Sequence, residues 1–95
     1  MYYVYILESS KSNILYYGYT EDLKKRMREH ENGQSKFTKG NLPWKLVWYS
    51  AFSDKLKAKD FELYLKSRSG KAFTYNRLVA LAKDAGEEKG APNRP

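Results

Sequence analysis

Cysteine is absent from this 95-residue chain and histidine occurs once. Neither a disulfide framework nor a thiolate metal site is available, a multi-histidine zinc cluster is excluded, and any metal would need oxygen ligands. Long apolar runs are also missing. No segment approaches the ~20 apolar residues of a membrane span, and the opening "MYYVYILESS" is apolar for only a few residues and carries no basic leader. A cytoplasmic protein with no membrane partner is the expectation. The length suits one domain with a single modest core.

Positive charge is abundant. Eighteen Lys and Arg against eleven Asp and Glu leave a formal charge of +7, which suits a polyanionic partner such as nucleic acid. The excess is uneven: residues 1–33 hold five basic and five acidic side chains, whereas residues 34–71 hold nine and three. Within that second segment Lys36, Lys39, Lys45 and Lys59 are the candidate nucleic-acid contacts. Aromatic residues make up 16% of the chain, nine of them tyrosines, and such rings serve either as core or as stacking surfaces for bases.

Residues 2–7 and 14–19 are rich in Tyr, Val, Ile and Leu around the polar "ESSKSN", a pattern that predicts a β-hairpin. Alternation places Tyr3, Tyr5 and Leu7 on one face of the first strand, and Ile14, Tyr16 and Gly18 on one face of the second. Gly18 within a strand implies a bulge or a close approach by another group. Thr20 is the expected cap of a first helix, with Glu21 and Asp22 in its opening turn and "ENG" at 31–33 as its stop. A long loop follows over "QSKFTKGNLPWK", then a third strand at 45–52. A second helix is predicted from Ser53 and Asp54 to about Ser69, ended by "SRSG", and a third across "NRLVALAKDA". Residues 83–95 lack apolar periodicity and read as a tail beyond a domain of residues 1–82.

Projection of the first helix at about 100° per residue divides its basic residues by phase. Arg26 and His30 flank the apolar stripe of Leu23 and Met27, while Lys24, Lys25 and Arg28 point to solvent. Arg26 has two readings: a planar fork for two phosphate oxygens, or an i,i+4 pair with Asp22. His30 is either a satisfied structural group or a proton carrier. In the second helix Ala58, Phe61, Glu62 and Leu65 share one face, so Glu62 lies where a carboxylate is costly unless paired. A divalent cation would satisfy it, as would Lys66 at i,i+4.

With these residues in place the chain resembles a GIY-YIG nuclease domain. "YVY" at 3–5 and "YYG" at 16–18 stand at the two tripeptides, a helix with Arg26 and His30 follows, and "KFTKGNLPWKLVWYSAF" and "AKDFELYLK" resemble the small free-standing bacterial members. These are related to the nuclease domain of excision repair. Tyr3 replaces the first glycine, Val4 and Tyr17 replace isoleucines, and Tyr19 stands where repair relatives often carry lysine. The resemblance implies an α/β (α+β) fold, a three-stranded antiparallel sheet flanked by helices. It further implies hydrolysis of DNA phosphodiester bonds with Mg²⁺ or Mn²⁺, in DNA repair or recombination, without an organic cofactor. Tyr5, Tyr16, Arg26, His30 and Glu62 match the family's catalytic positions, Glu62 as metal ligand and Gly18 as the motif glycine. The alternative on the same fold is a catalytically inactive nucleic-acid-binding module.

Overall fold

A computed structural model describes residues 1–79. Three strands, β1 (Tyr2–Ser9), β2 (Leu15–Thr20) and β3 (Trp44–Phe52), form one antiparallel sheet in the order β2-β1-β3. Helix α1 (Leu23–Glu31) follows β2, and helices α2 (Lys55–Lys66) and α3 (Arg68–Phe73) follow β3. The α+β class and the hairpin match the sequence reading. No helix among the described residues is long and apolar enough to cross a membrane.

Register decides which side chains meet. Tyr5 stands opposite Gly18 on one side and Tyr49 on the other, while Ile6 stands opposite Tyr17 and Trp48. Residues directly opposite share a face, so the sheet has two distinct surfaces. On one of them Val4, Ile6 and Tyr17 are buried with Ala58 of α2 and Leu65, and Trp48, Phe52 and Phe61 pack around them. The other surface carries Tyr5, Tyr16, Gly18 and Tyr49 and is met by α1. A register shift between Ile6 and Leu7 against β3 leaves Val47 without a partner and brings Leu46 opposite Leu7.

Several element ends depart from expectation. Asp22, not Thr20, caps α1 by accepting from the Lys25 N–H at 3.1 Å. Thr20 still closes β2, and its hydroxyl accepts from the Asp22 N–H at 3.1 Å, so the acidic pair lies before the helix and not within it. The expected loop at 34–45 contains a short 3-10 turn, Lys39–Asn41, and Trp44 already belongs to β3. Asp54 caps α2 through the Lys57 N–H.

The long second helix is in fact two. Ser67 adopts an extended ψ of 167° that ends α2, and its hydroxyl then accepts from the Gly70 N–H at 3.1 Å to start α3. "SRSG" is therefore a joint and not a stop. The third helix expected over residues 76–85 is replaced at its start by a π turn, Thr74–Leu78, with Val79 extended. The rest of that segment, with the boundary at 82 and the tail at 83–95, lies outside the described residues.

Gly70 is what lets the joint close. A Cβ at this position would sit 1.8 Å from the Tyr64 carbonyl oxygen, whereas one at Gly40 would meet nothing within 4 Å. Glycine within a helix normally costs about 1 kcal/mol relative to alanine; at Gly70 that sign reverses. Gly70→Ala is expected to destabilise the protein by about 2 kcal/mol or more, while Gly40→Ala stays within about 0.5 kcal/mol. Urea midpoints of the two variants against the parent check this.

Candidate active site

Tyr5 sits in the middle strand and is fully buried. Its ring occupies the space above Gly18: a Cβ there would lie 2.2 Å from Tyr5 Cζ and 2.3 Å from Oη. The close approach that a strand glycine implies is thus made by Tyr5 itself. Tyr16, two residues before Gly18 on the same face, places its ring centroid 6.2 Å from that of Tyr5 and 5.3 Å from that of His30.

A buried phenol needs a hydrogen-bond partner, and α1 supplies it. His30 is 1% exposed, and its Nε2 lies 2.9 Å from Tyr5 Oη. The other ring nitrogen, Nδ1, lies 2.8 Å from Oγ1 of Thr38, which is itself fully buried. Trp44 Nε1 donates to the Thr38 carbonyl at 2.6 Å, and the Trp44 ring stands edge-on to Tyr16 at 6.3 Å. Burial, and then the charge of Arg26, push the His30 pKa down to about 4. The ring is therefore neutral at pH 7 and has one donor and one acceptor.

Arg26 lies one turn before His30 on α1. Its guanidinium acts on the Tyr5 and Tyr16 hydroxyls, and arginine can only donate. The neutral imidazole thus joins Tyr5 Oη to Thr38 Oγ1, donating through one ring nitrogen and accepting through the other. Burial opposes the charge of Arg26, but the Glu29 carboxylate and the two tyrosines outweigh it and raise its pKa. The pair with Glu29 is short, Nη1 to Oε1 at 2.7 Å. This corrects the expected pair with Asp22: Glu29, half-buried beside Arg26, is the partner, and Asp22 is occupied as a cap. Glu29 is held below the usual carboxylate range by Arg26. Lys24, Lys25 and Arg28 are exposed, as their phase requires.

The Tyr5 hydroxyl is not basic in this state. Burial pushes its pKa up to about 12, and the opposing pull of Arg26 is too weak to bring it below the ordinary phenol value. The charge of Glu62 also contributes to this rise, which locates the carboxylate within electrostatic reach of Tyr5. Glu62 pairs with Lys66 Nζ at 2.9 Å, the i,i+4 partner foreseen in the sequence, and its side chain is only 18% exposed.

Among the described residues no three His, Cys, Asp or Glu side chains converge as metal ligands. Magnesium bound to nucleotide substrates commonly takes one or two carboxylates and completes its shell with phosphate oxygens and water. A lone, half-buried carboxylate such as Glu62 fits that requirement, with Lys66 as its competitor. The four lysines singled out by charge are all exposed but do not form one patch. Lys36 and Lys39 lie on the loop that carries Thr38. Lys45 stands opposite Glu8 on the other face of the sheet, and Lys59 caps the Tyr19 ring at 4.9 Å. Thr38 and Glu29 escaped the sequence reading, because neither its loop position nor a solvent phase marks a residue as part of a site.

The GIY-YIG catalytic domain model matches residues 1–76. A UPF0213 protein of Clostridium perfringens is 45% identical over 67 residues, covering 70% of this chain and 71% of the relative. One from Haloquadratum walsbyi is 42% identical over 66 residues, covering 68% and 73%. The solution NMR structure of a UPF0213 protein from Bacillus halodurans is similar at a TM-score of 0.54 and 32% identity, covering 96% of this chain and 99% of that one.

Two consequences can be measured without any substrate. Gly18→Ala forces the Tyr5 ring from its place and is expected to cost about 1–3 kcal/mol, read as a lowered urea midpoint. The second concerns pH. His30 titrates near 4 in the folded chain against 6.5 unfolded, so between these values the unfolded state binds the proton and the folded state does not. Stability from this group is complete above about pH 6.5 and is lost as pH falls toward 4. In paired urea titrations His30→Asn should lack this component, and the difference between the two proteins should shrink by roughly 1–3 kcal/mol across the window. A constant difference from pH 7 to pH 4 would show that His30 is not held neutral.

Proposed function

The chain belongs to the GIY-YIG family, among its small free-standing UPF0213 members, and from that premise we propose that it is a divalent-cation-dependent endonuclease cutting DNA phosphodiester bonds. The family's domain is a nuclease fold. The observation that carries the proposal is the convergence of Tyr5, Tyr16, His30 and Arg26 at one place, with a half-buried guanidinium and a neutral imidazole joined to a phenol. A binding module needs none of these arrangements. Repair or recombination is the setting supported by the likeness of the tripeptide motifs to the excision-repair nuclease domain.

Glu62 would hold one Mg²⁺ or Mn²⁺, taking it in exchange for Lys66. Bound there, the cation neutralises phosphate charge and lowers the pKa of water. The remaining roles belong to the chain's own residues. Arg26, oriented by Glu29, presents its free guanidinium edge to the phosphate and stabilises the charge that grows on the equatorial oxygens in the transition state. As the water oxygen bonds to phosphorus and the P–O bond to the leaving strand end breaks, Tyr5 receives the water's proton while its own passes to His30 Nε2, so no free phenolate is needed in a site that disfavours one. The leaving oxygen takes a proton from solvent. His30, with its Nδ1 proton on Thr38, is set to accept on Nε2 alone. Tyr16 orients the water from beside both rings. Lys36 and Lys39 on the adjoining loop meet the flanking phosphates, and binding weakens with salt as counterions are no longer released to advantage.

Cleavage of a mixed panel of single-stranded, duplex and branched DNAs tests the assignment. Glu62→Gln should abolish cutting in Mg²⁺ or Mn²⁺ while DNA affinity and the urea midpoint stay near the parent values. Arg26→Ala should lower the rate by about 100- to 1,000-fold, and Arg26→Lys should remain well below the parent because it loses the planar fork. Lys25→Ala and Arg28→Ala should change little. Equal cutting by Arg26→Ala and Lys25→Ala would remove the central residue of this mechanism.

A further inference from the structure

Phe37 is 77% exposed, more than any other large hydrophobic side chain among the described residues. A single exposed apolar residue means little by itself, but Phe37 is held in place from both sides. Ser35 and Thr38 are buried, Thr38 N–H donates to the Ser35 carbonyl at 3.2 Å, and Thr38 is tied to His30 and Trp44. The ring is thus projected from an anchored turn, so little side-chain or loop entropy remains to be lost on binding.

The ring also faces something. Phe37, Leu15, Tyr16, Tyr17 and Lys66 line an open cavity of about 330 Å³ on the outer edge of β2. One wall, Tyr16, belongs to the candidate active site, and another, Lys66, is the partner of Glu62. Lys36 lies beside Phe37 in sequence and Lys39 two residues on, and both are exposed. An aromatic face framed by lysines matches a nucleotide, whose base offers a π-surface and whose neighbours are phosphates. The volume is at the lower end of small-molecule clefts, which run from about 300 to 1,000 Å³, and is large enough for one base.

We infer that the cavity between Phe37 and the outer edge of β2 holds one unstacked nucleotide of the DNA strand, its base on the Phe37 ring and its flanking phosphates against Lys36, Lys39 and Lys66. The inference deepens the endonuclease reading and rests on it for the identity of the polymer. Taking a base out of a stack costs least where it is already unpaired. The protein therefore favours single-stranded, frayed or mismatched DNA over continuous duplex, with the cut placed next to the captured nucleotide.

Binding measurements with divalent cations chelated test this apart from cleavage. A short single-stranded oligonucleotide carrying 2-aminopurine, and the duplex of the same sequence, are titrated with the parent protein, Phe37→Ala and Phe37→Trp. The single strand should bind more tightly than the duplex and its 2-aminopurine emission should change on binding. Phe37→Ala should weaken single-strand binding about tenfold and duplex binding less than twofold, while Phe37→Trp keeps both near the parent. Because Phe37 carries no charge, its loss should leave the salt dependence unaltered, whereas Lys36→Ala should reduce it. Equal loss on both DNAs, no loss on either, or unchanged emission would overturn the inference. If the parent cuts DNA but Phe37→Ala binds single strands normally, the stacking site falls and the nuclease stands. If no DNA is cut while the Phe37 effect persists, the nuclease reading falls and the stacking site stands.

Discussion

The burial of the Tyr5 hydroxyl in the central strand constrains everything on its side of the sheet. A phenol removed from water costs free energy unless its oxygen and proton are both engaged. Gly18 must lack a side chain to make room for the ring, and the buried His30 and Thr38 must supply the hydrogen bonds that water no longer can. Trp44 closes the chain by binding the Thr38 carbonyl. Five side chains or backbone positions from β1, β2, α1, the following loop and β3 are therefore linked by one run of hydrogen bonds and one steric exclusion.

This run also explains how α1 is held. His30 is the buried residue of that helix, so apolar packing alone does not seat it. The other face of the sheet behaves differently: Val4, Ile6 and Tyr17 meet Ala58, Leu65 and a ring of Trp48, Phe52 and Phe61. The apolar face secures the fold through area removed from water, and the polar face secures orientation through satisfied donors and acceptors. Such a division lets the site be polar without depriving a small domain of its core.

Electrostatics on the polar face are arranged around one cation. Arg26 holds Glu29 low, adds to the burial that depresses His30, and partly offsets the burial that raises Tyr5. The neutral imidazole and the protonated phenol are both products of burial. Arg26 is paired with Glu29 of its own helix, and Glu62 with Lys66 of α2.

Periodicity in the sequence determined the three strands, the inward phase of Arg26 and His30, the outward phase of Lys24, Lys25 and Arg28, and the position of Glu62 on an apolar helix face. These follow from side-chain direction at fixed periods of 2 and 3.6, which local chain geometry imposes. The tripeptide motifs further indicated the sheet-and-helix architecture. Tertiary structure alone decided the rest. Whether Thr20 or Asp22 caps α1 depended on how far β2 pairs with β1, and whether Gly70 ends a helix or begins one depended on its contact with the Tyr64 carbonyl. Glu29 could be chosen over Asp22 as the partner of Arg26 only once Asp22 was engaged by the backbone. Thr38 joined the site because a loop without periodicity folds back onto α1, and the pKa values of Tyr5 and His30 left their ordinary ranges because both are removed from water. Desolvation is a property of the assembled neighbours, and no spacing along a chain encodes it.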